Sequence, residues 1–417
     1  MKQKRIIVML GLSFMLAVCG CGKEQMKNST TLESTEEETA SEQTETEEFE
    51  EMNEKTTAAE EKMVIDRSET FALLEDMRIG WNLGNTLDAH GGTTSVESEM
   101  SWGNPKTTPE MMKELAAQGI KTVRIPVTWS PHMSEAPDYV IEEAWLNRVE
   151  EVVNYALDAD MYVILNTHHE PDYWLKPQSE GLDEVTRELC ALWKQIAERF
   201  RDYDEHLLFE GMNEPRIKGS AKEWSGGEKE ERAAVNVLNQ AFVDTVRSTG
   251  GTNENRCLII CPYGNSATYN SLTELAIPAD NHIMVAVHLY TPYFFTYEPE
   301  ENNINEWDGS LKKDIISTMQ SVDRYLIQKG VPVIITEFGA VNKNYINADG
   351  IEVSNREDVL NWLADYMEVT NKYGITCVWW DNGIYDYAGE KFAIFDRKNL
   401  SWYAQDIADA LIAHTAD

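Results

Sequence analysis

Residues 207–215 read Leu-Leu-Phe-Glu-Gly-Met-Asn-Glu-Pro and give the strongest indication of the fold. Their apolar start is typical of a buried parallel strand, and Pro215 cannot donate to a sheet, so the strand ends before it. Glu214 therefore lies just past the strand. Residues 331–339 have the same design, because Val-Pro-Val-Ile-Ile-Thr leads into Glu337 and then Phe-Gly. Two buried strands thus each deliver one glutamate at a carboxyl end.

The same unit of apolar strand, polar loop and amphipathic helix repeats from about residue 63 to the end of the chain. Besides the two strands above, we predict strands over 78–82, 122–126, 162–166, 257–261, 283–287 and 375–380. We predict helices over 109–118, 144–159, 183–200, 230–248, 311–328, 356–373 and 402–414, with a short helix near Ser271. Eight β/α units in one chain predict a closed parallel barrel, so we expect residues 63–417 to form a single α/β domain, a (β/α)8 TIM barrel.

Composition limits the partners of the chain. Its 417 residues are 42% hydrophobic, which is enough for a large core, and carry a formal net charge of −36. So acidic a chain is not expected to bind nucleic acid, because phosphates would be repelled.

The cysteines of the folded part carry no metal-type spacing. Cys257 and Cys261 lie at the two ends of one strand, roughly 13 Å apart, which is too far for a disulfide. We interpret these two, with Cys190 and Cys377, as small buried hydrophobic residues.

The start of the chain has a different composition. A basic start followed by an apolar run too short to span a bilayer predicts an export signal over residues 1–21. It ends in Leu-Ala-Val-Cys-Gly-Cys, which resembles a bacterial lipobox, and the small Gly20 favours Cys21 over Cys19 as the lipidated residue. Residues 22–62 are rich in Glu, Ser and Thr and predict a disordered linker. We expect lipid anchoring at the bacterial cell surface, the alternative being cleavage and free secretion.

Six of the eight predicted strands present polar or aromatic residues at their carboxyl ends, where barrels of this class carry their chemistry. Arg124 lies inside an apolar strand and is costly to bury without a carboxylate partner. His288 and Tyr290 alternate along strand six, so both rings lie on one side. Paired carboxylates are the groups that hydrolyse glycosidic bonds. The strand-end candidates are Arg124, His168, His169, Asn213, Glu214, His288, Tyr290, Glu337, Trp379 and Trp380.

The ordered motifs of the chain resemble glycoside hydrolase family 5, the cellulase-like retaining enzymes of clan A. In chain order they are Gly-Trp-Asn-Leu-Gly-Asn at 80–85, Val-Arg-Ile-Pro at 123–126, Asn-Thr-His-His-Glu at 166–170, Met-Asn-Glu-Pro at 212–215, His-Leu-Tyr at 288–290, Thr-Glu-Phe-Gly at 336–339 and Trp-Trp-Asp-Asn-Gly at 379–383. The stretches Trp-Asn-Leu-Gly-Asn-Thr-Leu-Asp and Ser-Trp-Gly-Asn-Pro are similar to those of its subfamily 4.

The resemblance implies a role for each matching residue. Glu214 would be the general acid/base and Glu337 the nucleophile, with Arg124 holding Glu337 ionised. Asn213 would hydrogen-bond the sugar 2-hydroxyl, and Tyr290 would contact the nucleophile. The remaining candidates for lining and supporting the site are His168, His169, His288, Asn82 and one tryptophan of strand eight, Trp380 or its mirror choice Trp379.

Physical chemistry supports these roles independently. A nucleophile must be charged at neutral pH and benefits from a neighbouring Arg, whereas an acid must keep its proton. Sugar rings stack on aromatic side chains. Tryptophans in strand-end segments or the loops beyond them are candidates for such platforms, and they are Trp102, Trp129, Trp174, Trp224 and Trp307.

We therefore expect a monomeric, cofactor-free endo-β-1,4-glucanase that acts on cellulose-like chains, mixed-linkage glucan or xyloglucan. Within the family the alternative is an endo-mannanase or endo-xylanase. A non-catalytic glycan-binding surface lipoprotein is a second alternative, and the presence of both Glu214 and Glu337 argues against it. A metal-dependent hydrolase is a third, for which His168 and His169 alone supply too few ligands.

Overall fold

The computed structural model describes residues 64–297, 304–386 and 390–414. The predicted leader, residues 1–21, and the predicted linker, residues 22–62, lie outside the described residues. Among the described residues, no helix has the length and apolar composition needed to cross a membrane.

Eight parallel strands form a closed barrel, as predicted, and pairing of the first with the last closes it. Around the barrel, each strand lies next to its sequence neighbours. The barrel strands are β1 Ile79–Asn82, β2 Thr122–Ile125, β3 Tyr162–Asn166, β4 Leu207–Glu210, β5 Leu258–Ile260, β6 Ile283–His288, β7 Val333–Phe338 and, as the eighth strand, β10 Thr376–Trp379.

Helices connect the strands and cover the outside of the barrel. They are α1 Ser68–Met77, α2 Pro109–Gln118, α3 Glu143–Leu157, α4 Leu182–Arg199, α5 Lys229–Ser248, α6 Tyr269–Thr273, α7 Tyr293–Thr296, α8 Lys312–Tyr325, α9 Arg356–Asn371 and α10 Gln405–Ala413. α2 has the predicted bounds, because Gly119 adopts a left-handed conformation with φ 109° and ends the helix.

Several elements differ from the prediction. The last helix begins at Gln405 rather than at residue 402, because β12 Ser401–Trp402 pairs with β11 Phe395–Asp396. The hairpin of β8 Asn344–Ile346 and β9 Glu352–Ser354 follows β7, and α1 precedes the barrel. Both are additions that the repeat of strand and helix does not reveal.

The core forms because the strands of the barrel and the helices around it bury their apolar residues against each other. Every residue of β4 is buried, and along α4 the buried residues recur every three or four positions, as at Val185, Leu189, Leu192 and Ile196. These faces join with those of the other elements in one continuous hydrophobic cluster.

The cysteines of this part of the chain are all free, and Cys257, Cys261 and Cys377 are buried as predicted. The prediction of full burial is wrong for Cys190, which is only half-buried. It lies where α4 packs against α5, with Sγ 3.9 Å from the carbonyl oxygen of Ala241.

Strand register brings the polar strand-end residues to one edge of the barrel. Asn82 pairs with Arg124 between β1 and β2, and His288 pairs with Glu337 between β6 and β7. A register shift between Val287 and His288 accompanies the second pairing. The barrel therefore presents these side chains together at the carboxyl ends of its strands.

Candidate active site

Arg124 lies at the centre of the site and its side chain is completely buried. Its Nε donates to Glu210 Oε2 at 2.6 Å, and Nη1 donates to Glu337 Oε1 at 2.8 Å. Nη1 also donates to Asn82 Oδ1 at 2.9 Å, and Nη2 donates to Asn213 Oδ1 at 2.7 Å. The carboxylate partner that the sequence requires for this buried cation is thus present twice.

Glu210 is a site residue that the sequence analysis missed. It is fully buried, and its Oε2 accepts both from Arg124 and from Asn166 Nδ2, the latter at 3.1 Å. The signal was available, because Glu210 is a charged residue inside an apolar strand just as Arg124 is. Two buried charges of opposite sign on strands of one barrel are expected to pair.

Burial alone would lower the pKa of Arg124, but the negative charges of Glu210 and Glu337 outweigh it and raise that pKa. Arg124 is therefore a permanent cation at any pH at which the protein is folded. Asn82 fixes it further, since the Nδ2 of Asn82 donates to the carbonyl oxygens of Thr336 and Trp379. Asn82 has no exposed surface, so it supports Arg124 and does not contact substrate.

Glu214 and Glu337 face each other across the mouth of the barrel. Nδ1 of His288 lies 2.9 Å from Oε1 of Glu214 and 3.4 Å from Oε2 of Glu337. One oxygen of each carboxyl group and a ring nitrogen of His288 all lie within 4.8 Å of one another. The separation of the two carboxyl groups is therefore short.

Tyr290 contacts the second oxygen of Glu337. Its hydroxyl donates to Oε2 at 3.1 Å, so Glu337 accepts from Arg124 on one oxygen and from Tyr290 on the other. Burial and the charges of Glu337 and Glu214 raise the pKa of Tyr290 well above 10, so the hydroxyl keeps its proton. Both rings predicted to share one side of strand six, those of His288 and Tyr290, reach Glu337.

The two carboxyl groups have opposite pKa shifts. Burial and the charge of Glu214 raise the pKa of Glu337 above its usual value, against the lowering effect of His288 and Arg124. Burial also acts to raise the pKa of Glu214, but the hydrogen bond and charge of His288, together with the charge of Arg216, lower it overall. The lowering of the Glu214 pKa therefore comes from its contacts with His288 and Arg216.

Of the two tryptophans of strand eight, Trp379 lies in the core and Trp380 lies at the site. Trp379 is enclosed, with Nε1 donating to the carbonyl oxygen of Phe392 at 3.0 Å. Trp380 stacks nearly parallel on His168, with ring centroids 5.8 Å apart. Burial and the nearby positive charges of His169 and Arg124 lower the pKa of His168 well below 6.5. His168 is therefore uncharged when the protein is folded at neutral pH.

His169 lies farther out than His168, in a cluster that the sequence analysis did not foresee. Its Nε2 is 3.5 Å from Oδ2 of Asp88, and its ring packs near His90. His90 Nε2 is 3.5 Å from Asp172 Oδ2. Loops thus bring three further residues with possible ligand atoms, Asp88, His90 and Asp172, beside the two histidines. A lysine, Lys218, forms an ion pair with Asp172 and supplies a positive charge there.

The five tryptophans that the sequence offers as sugar platforms have different environments. Trp129 and Trp307 are buried, and their Nε1 groups donate to Asn166 O and Asp365 Oδ2. These two are packing residues, which leaves Trp102, Trp174 and Trp224 as the candidates for platforms. Trp224 is 62% exposed, and the other two, Trp102 and Trp174, are half-buried.

The motif residues outside the catalytic centre fasten loops together. Asn104 Nδ2 donates to the carbonyl oxygens of Asn85 at 2.8 Å and Asn382 at 3.1 Å. Gly383 has φ 77°, and a Cβ there would lie 1.8 Å from Oδ1 of Asn104. A Cβ on Gly84 would lie 2.8 Å from the ring of Trp380. These glycines are required because the loops approach so closely.

The charge balance around Arg124 gives a prediction about stability. Arg124→Leu leaves Glu210 and Glu337 buried without their cation, and we expect it to lower the free energy of unfolding by about 3–5 kcal/mol at neutral pH. Removing Arg124 also raises the pKa of Glu337 further, because Arg124 lowers it. A carboxyl whose pKa is raised on folding destabilises as the pH rises through that pKa.

The loss of unfolding free energy in Arg124→Leu should therefore be smaller near pH 4 than at pH 7. Urea unfolding of wild type and variant, followed by circular dichroism at both pH values, measures it. Arg201→Leu is the control, because Arg201 is 52% exposed and pairs with exposed Asp202. An equal loss at every pH would contradict this account of the charge cluster.

Comparison with known proteins agrees with this geometry. The model of the family described as cellulase (glycosyl hydrolase family 5) matches residues 87–386. Endoglucanase A of Ruminococcus albus is 47% identical over 342 residues, which cover 82% of this chain and 91% of the relative.

Solved structures agree as well. A xyloglucan-specific endo-β-1,4-glucanase from a metagenomic library, in complex with cellotriose, is 50% identical, has a TM-score of 0.80 and covers 84% of this chain and 100% of its own. A broad-specificity endoglucanase of Ruminococcus champanellensis with bound cellotriose is 40% identical, has a TM-score of 0.77 and covers the same shares. The chain belongs to glycosyl hydrolase family 5 and is a glycoside hydrolase.

Proposed function

We propose that this protein is a retaining endo-β-1,4-glucanase that cleaves β-glucans by double displacement. The observation that carries the proposal is the short separation of Glu214 and Glu337. One oxygen of each carboxyl group lies within 4.8 Å of the other, and Nδ1 of His288 lies near both groups. Retaining enzymes hold their carboxyl groups about 5–5.5 Å apart, whereas inverting enzymes need about 6.5–9.5 Å to admit a water.

Glu337 acts as the nucleophile. Its two oxygens accept from Arg124, a permanent cation, and from Tyr290, which keeps its proton. Such donors stabilise the carboxylate that attacks the anomeric carbon. Its own pKa is raised by burial and by Glu214, so its charged form depends on these two donors.

Glu214 acts as the acid and then as the base. It first gives its proton to the glycosidic oxygen as that bond breaks, and it then takes a proton from the water that hydrolyses the glycosyl-enzyme. Burial acts to raise the pKa of Glu214, but the hydrogen bond and charge of His288 and the charge of Arg216 lower it overall in this arrangement, which opposes the acid role.

Neighbouring groups are suited to hold the sugar. Asn213 Oδ1 is occupied by Arg124, which leaves the amide NH2 to donate to the 2-hydroxyl. Trp380 offers an aromatic face for stacking, and neutral His168 lies against it. His169, with His90 and Trp102 around it, offers further polar and aromatic surface.

The substrate class follows from family membership and the relatives. One relative is xyloglucan-specific and another has broad specificity, and cellotriose is bound in both. Exposed aromatic residues at the barrel mouth, such as Trp224 and Tyr293, suit an open cleft that binds a polymer in its middle. The alternative within the family is cleavage of mannan or xylan, which a panel of polysaccharides decides.

The first prediction of this proposal concerns the catalytic roles. Glu337→Ala should lower activity by several orders of magnitude, and azide in the vacated space should convert an activated β-glycoside into an α-glycosyl azide. Glu214→Ala should still form the covalent intermediate from such a substrate, and azide should then give a β-glycosyl azide. Product configuration is read by NMR. Exchanged configurations would mean that the two roles are exchanged.

The second prediction concerns the mode of attack. On soluble mixed-linkage glucan and xyloglucan, viscosity should fall much faster than reducing ends appear, because internal cleavage halves chains. Mannan and xylan should be cleaved more slowly at equal enzyme concentration, and Glu337→Ala serves as the blank. A single small sugar released from the start would show exo-attack instead.

The third prediction concerns location, and it rests on the sequence alone. We propose that Cys21 carries lipid and that the acidic residues 22–62 space the catalytic domain from the membrane. Cys21→Ala should move the protein from the membrane fraction to the medium, measured by immunoblot of fractionated cells. Cys19→Ala is the matched control and should leave the protein in the membrane fraction. Equal release of wild type and Cys21→Ala would rule out this anchor.

A further inference from the structure

Arg216 joins the candidate acid/base to the loop that follows β4. Its Nη1 donates to the carbonyl oxygen of Glu214 at 2.9 Å and lies 3.2 Å from Oε2 of the same residue. One guanidinium nitrogen therefore holds both the backbone and the carboxylate of Glu214. The motifs that point to the active site do not include Arg216.

Glu214 needs such support because its backbone is strained. Its φ is 44°, in the left-handed region that residues other than glycine rarely adopt. The N–H of Glu214 donates to Oδ1 of Asn265 at 2.8 Å, and its carbonyl oxygen accepts from Arg216. Side chains therefore fix the peptide groups on both sides of Glu214, and with them the direction in which its carboxyl group projects.

Arg216 is itself held in place from its far side. Its Nε donates to Oε1 of Glu223 at 3.0 Å, and the ring of Trp224 lies over the guanidinium at 4.3 Å from the ring centroid. Oε2 of Glu223 accepts from the backbone N–H of Gly219 at 2.6 Å. Only 12% of the Arg216 side chain is exposed, so these contacts operate largely away from solvent.

We propose that Arg216 positions the acid/base Glu214, and that Glu223 and Trp224 hold Arg216 in place. The inference rests on the proposed role of Glu214. Arg216 acts in both steps of the reaction, since the carboxyl group must face the glycosidic oxygen in the first and the attacking water in the second. A displacement of about 1 Å at such a group costs about 100-fold in rate.

The first test compares two substrates in Arg216→Met, which keeps the volume and removes the hydrogen bonds and the charge. With a cello-oligosaccharide, whose leaving group needs protonation, kcat/KM should fall about 10- to 100-fold. With dinitrophenyl β-cellobioside, whose leaving group needs little protonation, kcat/KM should stay within about threefold of wild type. An equal fall for both substrates would overturn the proposal, because a merely structural loss does not distinguish leaving groups.

The second test asks whether Arg216 acts through Glu214. In wild-type background, Arg216→Met should lower kcat for dinitrophenyl β-cellobioside about 10- to 100-fold, because deglycosylation needs the base. In Glu214→Ala background the same substitution should have no further effect on that kcat. If kcat fell equally in both backgrounds, the proposed role of Arg216 would be overturned, but the proposed function would stand. If Glu214→Ala itself retained full activity, the proposed function would fail instead.

Arg232→Met is the matched control. Arg232 also lies close to this loop, where it donates to the carbonyl oxygens of Gly226 and Gly227 and pairs with Glu274 at 3.0 Å, yet it does not contact Glu214. The control should lower thermal stability as Arg216→Met does, without changing the ratio of kcat/KM between the two substrates. A changed ratio in the control would assign the effect to the loop as a whole and overturn the proposal.

The pH dependence of kcat/KM provides a further test, because a loss of packing alone does not shift it. The positive charge of Arg216 lowers the pKa of Glu214, so Arg216→Met should raise it and move the alkaline limb of kcat/KM to higher pH. Arg216→Lys keeps the charge and should leave that limb near wild type, while its single ammonium group recovers only part of the rate. If Arg216→Met left the alkaline limb of kcat/KM at its wild-type pH, the proposed action of Arg216 on Glu214 would be contradicted. The other titratable groups facing Glu214 are His169, Cys261, His288, Tyr290, Glu337 and Glu390.

Discussion

The guanidinium group of Arg124 is the interaction on which the rest of the site depends. It is buried inside the barrel and bonds to Glu210, Glu337, Asn82 and Asn213, which come from β4, β7, β1 and the end of β4. A buried cation is tolerated only when its partners neutralise and orient it. Since three strands and one loop meet at this group, closure of the barrel also fixes the geometry of the proposed nucleophile, Glu337.

The second carboxyl group is held by a different principle. Glu337 is fixed by permanent donors at the centre of the barrel, whereas Glu214 lies in a loop turn with φ 44° and is held by Arg216, Asn265 and His288. The proposed nucleophile thus has a rigid environment of constant charge. The proposed acid/base lies in a loop, and its contacts include His288 at 2.9 Å.

The elements and the strand-end residues were largely predictable because short apolar strands ending in Gly, Pro or a polar residue leave a strong signal. β3 and α2 have the predicted bounds. What the sequence could not show is which polar residue meets which. Asn82 is a candidate either for lining or for supporting the site, and only the structure shows that it is enclosed and supports Arg124. Arg216 and His90 lie in loops, where no periodicity fixes their direction, so their contacts emerge only from the folded chain.

We infer that the arrangement around Arg124 makes Glu337 the covalent nucleophile. The most direct measurement is to incubate the enzyme with a fluorinated β-cellobioside that carries an activated leaving group, digest the inactivated protein, and locate the sugar by tandem mass spectrometry. We predict one sugar per chain, on Glu337. A label on Glu214 or Glu210, or inactivation without any covalent sugar, would contradict the account.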